Sequence, residues 1–250
     1  MSLGYLVTWM MVLLRTIGVI TQLPIVAGRP IPPIARMGLC VCLASILAGT
    51  VPMAPVPLTL WDLSYAAGGE VLLGLALGFV VRLAFAAVEM AGRIMTTEIG
   101  LTASPGMGVP EPSSEPVAAL LSTFAIVLFF LFGGHLMVLA ALNRSFSIVL
   151  AGQPGFSPDA SEAIIRSTGQ LIELGLRLAA PFIAMNFLVT LSFSALGRVV
   201  PKLNPFVISF SMKSIAGLTL LSTAGGLIAS YLYNEFNQTP VKMLQLVAGH

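Results

Sequence analysis

Six stretches of the chain are nearly free of charge: roughly Leu3–Leu23, Met37–Val51, Leu63–Val88, Val117–Leu142, Leu178–Gly197 and Ser214–Asn234. Each is a continuous apolar run, which predicts helix; outer-membrane strands would alternate over ten-residue segments instead. Most could cross a hydrocarbon core of about 30 Å. Met37–Val51 could not. Fifteen helical residues reach only about 22 Å, and Pro52, Pro55 and Pro57 close the run. This segment is expected to be a short or re-entrant helix packed on protein. The third stretch is expected to outrun the bilayer, passing through the i,i+4 partners Glu89 and Arg93 to about Glu98. A further helix is predicted after Pro158, with Asp159 as its cap and Glu162 in the capping-box position. Glu162, Arg166, Glu173 and Arg177 fall near one face of it, as a solvated row of ion pairs or as a subunit contact.

Polar groups inside the apolar runs sharpen the picture. Arg15 lies near the middle of the first run, where an arginine costs about 3 kcal/mol or more on insertion scales. It must therefore face protein, water or the interface. In the third run Glu70, Gly74, Gly78 and Arg82 recur every four residues and form one stripe. Small residues at that spacing let a second backbone approach closely, so Glu70, Gly74 and Gly78 are candidate helix-packing positions. Ser222, Gly226 and Ser230 repeat the device. An intramembrane Glu70 is either a proton relay or half of a structural pair, and the second reading is the better supported.

Composition excludes other classes. The 250 residues are 57% hydrophobic and 9% charged, against roughly 25% charged in an average globular domain. Mean hydropathy is +0.97. A soluble enzyme, a disordered region and a disulfide scaffold are ruled out. The expectation is an all-α, polytopic helical membrane protein, one membrane domain over residues 1–250. The net charge of +2 is scattered and gives no nucleic-acid patch. Cys40 and Cys42 point from divergent helix faces and read as small buried hydrophobes. With His135 and His250 remote from both, neither a metal site nor a cofactor is expected. The first apolar stretch has no basic n-region or small-residue cleavage site and reads as retained. Arginine and lysine counting between the runs leaves the orientation open.

The main non-helical segment is the Pro/Gly-rich stretch at about 103–116, with Pro105, Gly106, Met107, Gly108, Val109 and Pro110 at its centre. Four prolines and two glycines in fourteen residues make a loop between two long helices. Such a loop is functional or an ordinary connector; Met107 between glycines would make a soft apolar tip. Catalytic chemistry is not in evidence. No Gly-x-Ser-x-Gly pentapeptide occurs, the aspartates are Asp62 and Asp159 alone, and no phosphate loop is present.

One family matches these features in order. The segment Ala195–Val207, with Leu196, Gly197, Arg198, Pro201, Asn204 and Phe206, resembles the Leu-Gly-x-x-x-Arg/Pro-x-Leu-Asn-x-Phe stretch of the FliR family of flagellar export proteins. Arg15, Pro24, Ile31-Pro32 and Arg36 resemble that family's opening, Glu70, Gly74 and Gly78 its glycine-bearing helix, and Phe132-Gly133-Gly134-His135 its Phe-x-Gly-His turn. Gly133 stands where many relatives have Asn, and the central loop is unusually rich in proline. The resemblance implies a channel-forming subunit of the type III export gate, built of bent helical hairpins and carrying no catalysis. It implies FliP-like and FliQ-like partners, a FlhB-like switch protein, and unfolded export substrates in transit. The place implied is the bacterial inner membrane at the flagellar basal body, with the loop as a plug. The alternative is a self-contained small-solute transporter, for which the Pro-broken segment near Val51 and a kink at Pro181 would serve; no repeat between the halves supports it.

Overall fold

The computed structural model describes residues 3–24, 32–55, 59–101, 115–153, 155–199 and 205–248, with backbone alone at 205–207. Seven helices account for nearly all of them, and no strand occurs among the described residues. They are α1 (Leu3–Gln22), α2 (Pro33–Leu47), α3 (Leu60–Ile99), α4 (Pro116–Leu131), α5 (Gly134–Ile148), α6 (Ala160–Val199) and α7 (Pro205–Ala248). By length and composition α1, α3, α6 and α7 can each cross a membrane, and α4 with α5 makes a fifth, broken span. The all-α polytopic architecture is the one the apolar runs predict.

The helices differ from the sequence expectation in several places: α6 joins the helix expected after Pro158 to the run Leu178–Gly197, and α7 outruns Ser214–Asn234 at both ends. The run Val117–Leu142 is two helices, because Gly133 adopts φ +71° and starts α5 from the left-handed region. L-residues rarely take that conformation, whereas glycine, with no Cβ, takes it freely. At the start of α6 the side-chain contact comes from Ser157, whose Oγ accepts the Asp159 N–H at 3.2 Å. The Glu162 carboxylate accepts instead from Arg166 Nη2 at 2.9 Å, so it does not close a capping box. Cys42 is exposed; Cys40 alone is buried. Two residues apart on a helix, they cannot share the packed face. Pro181 lies inside a continuous α6.

The chain forms two compact units, Met1–Ala84 with Phe129–Gly169 and Glu235–His250, and Phe85–Leu128 with Gln170–Asn234. In the first, α2 packs on α1 through Ile20 and Cys40, with Leu13, Ile17, Leu23 and Leu43 around them. Trp9 Nε1 donates to Ser45 Oγ at 3.1 Å across the same pair of helices. The 15-residue α2 is largely exposed and too short to span. The C-terminal turns of α7 complete this unit. Phe236 meets Phe129 edge to face at 5.2 Å, the Leu246 carbonyl accepts the Ser157 N–H at 3.3 Å, and Lys242 Nζ pairs with Glu235 at 2.5 Å.

In the second unit, small residues set the helix approaches. A Cβ on Gly92 would lie 2.5 Å from the Ala118 Cα, and one on Gly217 would lie 2.5 Å from the Ile99 side chain. Gly175 likewise faces Met90 and the Ala87 carbonyl. Phe182 and Met95 are fully buried there.

Candidate functional site

The stripe on α3 is the seam against α1. A Cβ on Gly18 would lie 2.7 Å from the Gly74 carbonyl carbon, and one on Gly78 would lie 2.8 Å from the Val19 carbonyl oxygen. The two backbones touch, leaving no room for side chains between them. Each end of the seam is polar. At one end Arg82 Nη1 donates to Gln22 Oε1 at 3.2 Å.

At the other end Arg15 meets Glu70, both fully buried. Arg15 Nε donates to Glu70 Oε2 at 2.6 Å and Nη2 to Oε1 at 3.0 Å, a bidentate fork. Nη1 donates to Ser145 Oγ at 3.0 Å, Nη2 also reaches the Val149 carbonyl at 3.2 Å, and the guanidinium carbon stands 4.0 Å over the Phe146 ring. Glu70 Oε1 accepts a further bond from the Gly152 N–H at 2.9 Å. Gly152 makes this possible through φ +83°, a conformation that favours glycine. Ser145 passes its own hydrogen to the Leu142 carbonyl at 2.7 Å.

Burying two charges costs several kcal/mol each, and attraction offsets this only with good geometry and satisfied remaining donors and acceptors. Here both carboxylate oxygens are taken and the guanidinium fork is shared among four acceptor atoms. The cluster joins α1, α3, α5 and the turn after α5. Its chemistry is that of a lock.

A second constellation, in the second unit, holds the two roots of the Pro/Gly loop. α3 ends with Gly100 at φ +84°, its N–H on the Thr97 carbonyl at 3.0 Å and that of Leu101 on the Thr96 carbonyl at 3.1 Å. This is the glycine closure of a helix C-terminus. Ser214 Oγ donates to the Ile99 carbonyl at 3.1 Å, and the Glu98 carboxylate accepts from Asn186 Nδ2. The returning root is held by Arg93, which pairs with Glu115 at 3.1 Å through Nε and with Glu89 at 2.7 Å through Nη2. Both roots thus rest on the last turns of α3. Residues 102–114, including Pro105, Gly106, Met107, Gly108, Val109 and Pro110, lie outside the described residues.

The remaining motif residues are not gathered into one place. Gly134 packs so closely on Phe129 that a Cβ would lie 2.5 Å from its ring, and the His135 ring lies 5.0 Å from that of Phe130. Leu196 and Arg198 are exposed and Gly197 half-buried in the last turns of α6. Pro201 and Asn204 lie outside the described residues, as does the Phe206 side chain. No group of His, Cys, Asp and Glu among the described residues is placed to hold a metal. Ser145, Phe146, Val149 and Gly152 were not legible as site residues. The available signal was Arg15 itself, whose donors demand several acceptors in one place.

The sequence profile of bacterial export proteins, family 1, matches residues 6–239. The FliR flagellar biosynthetic protein of Escherichia coli K12 is 30% identical over 227 residues, covering 90% of this chain and 87% of the relative. The chain belongs to the FliR family. Its resemblance extends to the flagellar biosynthetic protein FliR of Bacillus subtilis, at 26% identity over 96% of this chain and 94% of that one. The Yop proteins translocation protein T of Yersinia pestis is 28% identical over 86% of this chain and 85% of its own length. These alignments span the FliR-family chain almost from end to end, so the Arg15–Glu70 lock and the loop roots both lie within the family's shared region.

Proposed function

We propose that this FliR-family chain is a structural subunit of the flagellar type III protein export gate, forming part of the wall and plug of a conduit for unfolded substrates. Its partners are FliP-like and FliQ-like subunits and a FlhB-like switch protein, in the bacterial inner membrane at the flagellar basal body. The chain supplies no catalysis. One observation carries the reading: α6 and α7 are apolar helices of 40 and 44 residues, yet only 17% and 22% of their most apolar stretches are buried. At about 1.5 Å per residue each is roughly 60 Å long, twice the hydrocarbon thickness. Lipid can cover about half of that length. In this reading neighbouring protein subunits cover much of the rest, and the names of the relatives point to an export apparatus.

A resting conduit refuses ions through dehydrated apolar contacts at its constriction. A segment that moves while its supports stay fixed meets that need, and the two anchored roots on α3 are such supports. The loop around Met107 is the plug in this reading. Co-expression with FliP-like and FliQ-like neighbours should yield one large complex. A chain that purifies alone and moves a solute into liposomes is the transporter alternative and would end the proposal. Deleting Pro105–Pro110 should raise ion leakage in cells that still assemble the complex; unchanged leakage refutes the plug.

A further inference from the structure

Two charges in the second unit stand beside the last turn of α3 without a counter-ion. Glu98 is half-buried, and its carboxylate accepts a neutral hydrogen bond from Asn186 Nδ2 on α6. Every other carboxylate among the described residues either pairs with a cation or is exposed. Lys213, on α7, is likewise half-buried, and no carboxylate among the described residues pairs with it.

The two belong to touching stretches of helix. Ser214 Oγ donates to the Ile99 carbonyl at 3.1 Å, a Cβ on Gly217 would lie 2.5 Å from the Ile99 side chain, and one on Gly100 would lie 3.0 Å from the Phe210 ring. Lys213 follows Phe210 by three positions and precedes Gly217 by four, so it shares their side of α7. Glu98 immediately precedes Ile99 and turns toward α6. There Asn186 is steadied by Thr190 Oγ1, which donates to its carbonyl at 2.8 Å and to its Oδ1 at 3.3 Å. Lysine carries three donors on a flexible four-carbon stem, and Asn186 occupies only one of the two Glu98 oxygens.

We propose that Glu98 alternates between two partners, the Asn186 amide on α6 and the Lys213 ammonium on α7, so that the last turn of α3 is tied to one helix or to the other. Energetics favours alternation over a fixed choice. A charge-assisted bond is roughly twice as strong as a neutral one. Against that, a part-exposed pair spends most of its attraction on holding two long side chains still, and comes out near zero net. Neither arrangement dominates, and the protein holds both. The inference stands whether or not the export-gate reading holds.

A water-soluble carbodiimide tests this, because it joins a carboxylate to an amine in direct contact with no spacer. The lysines are Lys202, Lys213 and Lys242, so products are few and are identified by mass spectrometry of the digested full chain. The Glu235–Lys242 pair should cross-link in every variant and serves as the control for reaction and fold. In the parent a Glu98–Lys213 product should appear beside it. Asn186→Ala frees Glu98 and should raise that product at least twofold relative to the control; Asn186→Leu, closer in size to asparagine, should do the same. Lys213→Arg keeps the charge without a reactive amine and should lose this product alone. A parent that yields the control product and no Glu98–Lys213 product overturns the proposal. So does a Glu98–Lys213 yield that is the same in the parent and in the Asn186 variants, since Asn186 would then not compete for Glu98.

Discussion

Replacing Glu70 by Gln tests the lock most directly, because it removes the charge and nearly preserves the shape. Arg15 would keep its positive charge at a site with no exposure. Where Glu70 presents two acceptor oxygens to the fork, a glutamine presents one oxygen and one amide, so donor faces donor at Arg15 Nε or Nη2. Breaking a buried pair from one side costs about 3–5 kcal/mol, a large part of a total stability of roughly 5–15 kcal/mol. For a chain of this size that is a fall in Tm of about 6–20 °C. Arg15→Met should do similar harm by stranding the carboxylate, and Glu70→Leu by stranding the guanidinium; with the double variant and the parent, these two singles form the cycle. The double variant Arg15→Met/Glu70→Leu should do less than either. It removes both charges and leaves chiefly the Gly152 N–H and the Val149 carbonyl without partners, at about 1–3 kcal/mol for a buried orphan group. Ser145 keeps its bond to the Leu142 carbonyl. The cycle should therefore show a favourable coupling of about 2 kcal/mol or more, read from thermal melts of the four proteins in one detergent. A Glu70→Gln protein that melts with the parent, or a double variant as unstable as both singles summed, would refute the account of Arg15–Glu70 as a lock.

The glycines give sharper contrasts. Gly74→Val should abolish the α1–α3 contact and cut the yield of folded protein in detergent, since its Cβ would lie 3.0 Å from the Arg15 Cα and closer still to its carbonyl oxygen. Gly68→Ala, with open space around it, should melt within about 1 kcal/mol of the parent, as an exposed helical Gly→Ala change does. Gly133→Ala meets nothing within 4 Å but must hold φ +71°, so it should cost about 1–2 kcal/mol, seen as a lowered Tm; Gly133→Asn should recover part of that. Arg166→Glu and Arg177→Glu break pairs more than half exposed, each worth about 0–1 kcal/mol to the fold. A loss of complex with partner subunits at unchanged monomer Tm would make that row a subunit contact; normal complex yield leaves it a solvated face.

The apolar runs and their punctuation were enough to show a chain of apolar helices, because continuous hydrophobicity and proline clusters act locally, but not how far α6 and α7 extend. The short α2 was legible for the same reason: its length and the prolines at 52, 55 and 57 are local facts. The stripe Glu70-x-x-x-Gly74-x-x-x-Gly78-x-x-x-Arg82 showed that something approaches α3 closely, but the approaching element was not legible, since a stripe describes one surface only. Arg15 showed that a partner was needed. That Glu70 is the partner depends on α1 and α3 running in register, set by Gly18 against Gly74. Ser145, Val149 and Gly152 join the lock from far along the chain and left no local mark. The break at Gly133 was hidden because the residues on either side are equally apolar. What makes the bend is a backbone sign, which hydropathy does not record.

The first compact unit is closed by residues made last. Arg15 and Glu70 leave the ribosome early, while Phe236 and Leu246, which meet Phe129 and Ser157, follow more than two hundred positions behind Arg15. At about 5–20 residues per second of synthesis, that interval is on the order of ten to forty seconds. Arg15 has its partners once Gly152 is made, but Phe129 and Ser157 wait to the end of the interval for theirs. Until translation ends, the unit stays open on the side where the last turns of α7 belong.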